Sequence, residues 1–142
     1  MFLVRRSQTR RQIRFHAVRE LYRSCCGENT PEARGRRLLR RWLSTSQRKQ
    51  FDAKEYFDVI GCDTCRRYRI YYGSAMNVHE LDEAGRLKMG WCFLPKGYLV
   101  PGDVMLAQKI ALETFERGAL AVARRFVPNE RVSESIPAQS TR

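Results

Sequence analysis

The stretch YFDVIGCDTCRRYRIYYG, residues 56–73, decides how this chain folds. Phe57 and Val59, then Tyr68, Ile70 and Tyr72, alternate with other residues at a period of two, the pattern of half-buried strands. Between the two runs sits a Cys-x-x-Cys, Cys62-Asp63-Thr64-Cys65. Pairing Val59 with Tyr68 closes a hairpin and sets Cys62 opposite Cys65.

The alternation continues outward through Met76 and Val78, then Leu87, Met89, Trp91 and Phe93. Facing residues must share a side of the sheet. That puts Met76 opposite Tyr72 across the loop Gly73-Ser74-Ala75. It puts Val78 opposite Met89 across the turn Asp82-Glu83-Ala84-Gly85. The pattern predicts a four-stranded antiparallel meander.

Helical patterns flank it. Thr30-Pro31 reads as a helix entry, and Leu38, Leu39, Trp42 and Leu43 form an apolar face behind it. Ser44-Thr45-Ser46-Gln47 matches a capping box opening a helix to about Lys54. Trp42 and Phe51 read as packing anchors. After the sheet, Asp103 is the expected cap of a long helix to about Phe126. Its expected buried stripe is Val104, Ala111, Phe115, Ala119, Val122 and Phe126. The leading helices are expected to cover Leu106 and Ile110, with Lys109, Glu113 and Arg117 on the wet side. The fold class is therefore α+β, with leading helices, the meander, and a C-terminal helix across one sheet face. A basic, partly helical or disordered leader over 1–33, one domain over 34–126 and a disordered tail over 127–142 complete the expected organisation.

Charge is distributed unevenly. The net charge is +12, and residues 1–50 hold 14 Lys and Arg against 3 Asp and Glu, while residues 51–142 hold 13 against 12. A basic lead-in to an electrostatically ordinary domain suits an anionic partner, either nucleic acid or an acidic protein surface. Arg-rich extensions also occur as plain solvated segments. No apolar run reaches membrane-spanning length. The opening MFLVRRSQTRRQIRF lacks the apolar core of a secretory signal, though its lack of acids is shared with organellar transit peptides. Five cysteines without a signal segment point to reduced thiols in a cytoplasm.

Three readings of Cys62 and Cys65 compete. Zinc needs two further ligands. Cys92 lies about six residues along its strand from the right end, or roughly 20 Å at about 3.4 Å per residue. His79 is nearer but makes only three ligands, and Cys25 or Cys26 join only if the leader folds back. A redox pair needs its first thiol at a helix N-terminus, whereas these flanks are strands. The third reading is a plain hairpin turn, and the spacing favours it.

No nucleophile elbow, phosphate-binding Gly-Lys-Ser loop or His-Glu-x-x-His motif is present, so no catalytic residue and no cofactor is expected. Glu80, Asp82 and Glu83 cluster beside a turn, where solvation explains them. Arg67, Arg69 and Tyr71 alternate with core residues on the second strand, and Lys88 is expected on their side of the fourth. Basic residues beside an aromatic on an open sheet face contact phosphates and stack bases. A solvated antiparallel face looks much the same.

From Leu38 to Phe126 the chain resembles a family of small uncharacterised bacterial proteins common in rhizobia and their relatives. The residues that carry the resemblance are LS, QR and QF within 43–51, YFDVIG at 56–61, RRYRI at 66–70, NVHELDEAGR at 77–86 and GDVMLAQKIALE at 102–113. No activity comes with it. It implies a bacterial, cytoplasmic protein, and relatives with glycine or polar residues in place of Cys62 and Cys65 weigh against a metal.

The expected function is a small non-catalytic basic module that binds nucleic acid. Its phosphate contacts would come from Arg5, Arg6, Arg10, Arg11, Arg14, Arg19 and Arg23, with Arg67, Arg69, Tyr71 and Lys88 on the sheet. The alternatives are a protein-interaction or structural module with an incidental leader, and a zinc-stabilised module built on Cys62, Cys65 and His79. No membrane partner is expected.

Overall fold

The computed structural model describes residues 29–128. Helix α1 spans Pro31–Trp42, α2 Thr45–Lys54 and α3 Pro101–Val122. The strands are β1 Tyr56–Ile60, β2 Arg67–Tyr71, β3 Val78–Leu81, β4 Leu87–Cys92 and β5 Arg124–Phe126. They form one antiparallel sheet in the order β1-β2-β3-β4-β5.

Local chemistry starts the helices where the sequence places them. The Thr30 hydroxyl accepts from the Ala33 amide, and Pro31 opens α1 without wasting a donor. Ser44 and Gln47 exchange both bonds of a capping box at the start of α2. Two glutamines of α2 then protect an edge. The Asp58 amide donates to Gln50 Oε1 at 2.9 Å, and Gln47 Nε2 donates to the Asp58 carbonyl at 2.9 Å. Side chains thus replace the neighbour strand that β1 lacks.

The core lies between the sheet and the helices. Phe57, Val59, Tyr68, Ile70, Val78 and Trp91 meet Leu39, Leu43, Phe51, Met105 and Leu112. Each such side chain contributes about 1.5–3 kcal/mol by leaving water. Helices α1 and α3 touch backbone to backbone: a methyl group on Gly102 would lie 2.3 Å from the Gly35 carbonyl carbon. Only glycine permits that approach.

The first hairpin follows the expected register, with Val59 opposite Tyr68. Ile70 pairs with Val78, the register that sets Tyr72 against Met76, but Met76 itself leaves the ladder with φ of 52°.

Five expectations need correction. A fifth strand exists: α3 stops at Val122, and Phe126 pairs with Gly90 in β5 rather than ending the helix. Val78 pairs with Trp91, not Met89, because a bulge between Glu80 and Leu81 shifts the register. Asp103 does not cap α3. Pro101 takes the first helical position, which leaves Val100 as the cap and Asp103 in the first turn, where its charge suits the helix dipole.

The buried stripe of α3 is also rotated. It runs through Val104, Met105, Gln108, Leu112, Glu116 and Ala119, while Phe115 is 68% exposed and Val122 81% exposed. An apolar-only pattern misses that face because Gln108 and Glu116 lie on it with their polar ends satisfied. Lastly, Phe51 is a core residue, but Trp42 is 61% exposed and lies outside the core cluster.

Candidate functional site: a pinned turn and an open sheet face

The Cys-x-x-Cys is the β1–β2 turn, and its partner is a break in α3. Phe115 has φ −152° and ψ 51°, which interrupts the helical hydrogen bonds. The turn fills the gap. The freed Leu112 carbonyl accepts from the Cys62 amide at 3.1 Å. The freed Glu116 and Arg117 amides donate to Cys62 Sγ at 3.4 Å and to Asp63 Oδ2 at 3.0 Å.

Glu116, fully buried, holds the turn from beneath. Its carboxylate accepts from the Asp63 and Thr64 amides at 2.8 Å each, from the Thr64 hydroxyl at 2.5 Å and from the Tyr68 hydroxyl at 2.6 Å. Burial pushes the carboxyl pKa up, but hydrogen bonds from Thr64, Tyr68 and the turn backbone outweigh it. The result is a pKa below the usual value. The same contact moves Tyr68 the other way. Burial first, then Glu116, raises the phenol far above its usual range.

Ligand atoms of Cys62, Asp63 and Glu116 lie within 4.8 Å of one another. Each already accepts a hydrogen bond, so the cluster is explained without an ion. Cys65 is exposed in a left-handed turn conformation, outside this group. His79 does not approach it either, because it stands on the opposite face of the sheet. The sequence pattern misses Glu116 altogether; its only signal is a carboxylate in line with Val104, Met105, Leu112 and Ala119 on one helix face.

The face of the sheet away from the helices carries the expected basic and aromatic residues, arranged differently from the expectation. Arg69 is not a free cation. Nε and Nη2 reach Asp58 at 2.8 and 3.1 Å, a two-bond clamp, and the guanidinium lies 4.1 Å over the Tyr56 ring. Arg67 is exposed and stands 3.8 Å from the same carboxylate. Lys88 pairs with the buried Glu80 at 3.3 Å, next to Arg66, instead of joining the Arg69–Tyr71 group. The bulge at Glu80 moves it there. Arg5, Arg6, Arg10, Arg11, Arg14, Arg19, Arg23, Cys25 and Cys26 lie outside the described residues, as does the tail from 129.

Rings, more than charges, define this face. Tyr56 meets Tyr71 at 5.2 Å between centroids, Tyr71 meets His79 at 5.2 Å, and His79 meets Phe126 at 5.4 Å. The row crosses from β1 through β2 and β3 to β5, and all four residues are half-buried. Gly90 of β4 makes the last step possible, since a Cβ there would lie 2.3 Å from the Phe126 ring. Of these four rings, the sequence pattern assigns only Tyr71 to this face, beside Arg67 and Arg69. Tyr56 and His79 were legible from the strand alternation, whereas Phe126 was hidden in a mistaken helix.

His79 is the unusual member. Its Nδ1 is buried and has no hydrogen-bond partner. Burial lowers its pKa, with the Met76 backbone pulling the other way. Beside it, a cleft of about 600 Å³ opens at the β2–β3 loop end of the sheet.

No helix among the described residues is long and apolar enough to cross a membrane. No family model, curated protein or solved structure matches the chain.

Proposed function

We propose that this chain is a non-catalytic module that binds single-stranded nucleic acid in the cytoplasm. Unpaired bases lie on the open sheet face, and arginines of the leader neutralise phosphates. The observation that carries the reading is the unbroken row Tyr56–Tyr71–His79–Phe126. Aromatic rings on an open sheet stack bases regardless of sequence, and a surrounding positive charge holds the backbone. Because Asp58 occupies Arg69, the electrostatic share falls mainly to residues 1–50, the leader together with the first helices, where +11 of the +12 resides.

Titrating the full chain with labelled single-stranded and duplex oligonucleotides over a salt series tests this. Preference for the single strand is expected, with log affinity falling linearly in log salt by about 0.7 per phosphate neutralised. Replacing Arg5, Arg10 and Arg14 by Ala should flatten that slope by about 2. Tyr56→Ala should weaken binding and leave the slope unchanged. Absence of binding to either form at about 50 mM salt would refute the proposal and favour a protein-interaction module.

A further inference from the structure

The cleft beside the ring row has a specific shape. His79 lies between Tyr71 and Phe126 in the strand order, and both rings stand nearly perpendicular to it, at 86° and 85°. Two aromatic walls therefore flank an imidazole floor. Most polar groups around the cleft are already committed. Asn77 donates to the Tyr71 and Gly73 carbonyls and exchanges two bonds with Gln108. Glu55 is held by Arg36 at 3.1 Å.

Two groups stand apart. Nδ1 of His79 has no hydrogen-bond partner. The Lys54 ammonium, on the cleft wall, meets only the Tyr56 ring at 5.8 Å among the described residues. Flat apolar walls, one unsatisfied nitrogen at the floor and one cation at the rim match a planar heterocycle that carries a phosphate. We propose that the cleft is a subsite for one unpaired nucleobase, which slots between Tyr71 and Phe126, hydrogen-bonds Nδ1 of His79 and leaves its phosphate on Lys54. The proposal rests on the single-strand reading above and names the unit that this face takes. Nδ1 is out of reach of water, so the base reaches it only as the rim of the cleft gives way, where Met76 is a flexible unbranched chain 56% exposed.

The test compares a labelled thymidine oligonucleotide with the same phosphodiester chain lacking its bases, each bound to the full chain and read by anisotropy. The base-bearing strand should bind about tenfold more tightly. That margin should disappear in Phe126→Ala and in His79→Leu, while Lys54→Gln should lower the salt slope by about 0.7. His79→Leu and Lys54→Gln keep the test decisive if Phe126→Ala fails to fold. A margin that survives in His79→Leu but is lost in Tyr56→Ala places the bases elsewhere on the face. That outcome ends the subsite and keeps the single-strand reading. Equal binding of the two strands, or none of either, overturns both.

Discussion

The two ends of the sheet treat a buried polar group in opposite ways. At the β1–β2 turn, Glu116 has a donor for every direction its carboxylate faces: two amides and two hydroxyls. At the β2–β3 loop, Nδ1 of His79 has none. Saturated hydrogen bonding of a buried charge fixes one geometry, because removing any donor leaves a desolvated acceptor. An unsatisfied nitrogen does the reverse: it costs stability until something else supplies the bond. One end holds the fold; the other leaves a bond that, on the reading proposed above, a ligand supplies.

The sharpest way to break this contrast is to remove the charge that holds the turn. Glu116→Ala strands two amides, two hydroxyls and the gap in α3, and should cost about 3–5 kcal/mol in chemical denaturation. A variant that melts like the parent would show that the turn holds itself.

Acid should act on the same end more gently. The folded-state pKa of Glu116 lies below its ordinary 4.5, so its contribution is full above that value and is lost as pH falls through the depressed one. Thermal melts of the parent and of Glu116→Gln should therefore converge at low pH. A difference that stays constant would sink the assignment.

The His79 end should respond with the opposite sign to mutation. His79→Leu removes an unsatisfied nitrogen and should leave stability unchanged or raise it by about 1 kcal/mol. Its pKa is also depressed, so the parent should lose stability as pH drops below the ordinary 6.5, and His79→Leu should not. A marked loss of stability in His79→Leu at neutral pH would mean that the ring is structural.

The smallest effects test the periphery. Phe115→Ala should cost less than about 0.5 kcal/mol, since the ring is mostly exposed. A chelator should not move the melting midpoint, because Cys62, Asp63 and Glu116 already serve the helix break and the turn. Stoichiometric zinc in the purified protein would restore the metal reading.

What the sequence disclosed follows from which forces are local. The capping box at Ser44, the Thr30-Pro31 entry and the Val59–Tyr68 register depend on residues a few positions apart, and all three are present. The bulge at Glu80 and the strand at Phe126 depend on long-range pairing, which periodicity does not record. Glu116 was invisible for a related reason. A buried acid reads as a surface residue until its donors, about fifty positions upstream, are brought beneath it. The candidate binding face was half legible: Arg67, Arg69 and Tyr71 sit on it, but its continuity across four strands appears only once β5 is in place.

The close crossing of Gly35 and Gly102 sets a condition on how the protein is made. It ties the first described helix to the last, so the roof over the hairpins between them stays incomplete until α3 has been synthesised. Emerging from the ribosome, β1 to β4 would lack the cover of Met105 and Leu112 and leave part of Val59, Tyr68 and Ile70 in water for the time needed to add residues 101–122. Contacts of such long sequence separation slow folding, and unroofed strands invite association with other chains. Truncations anywhere before Val122 should therefore accumulate as aggregates rather than as smaller folded domains.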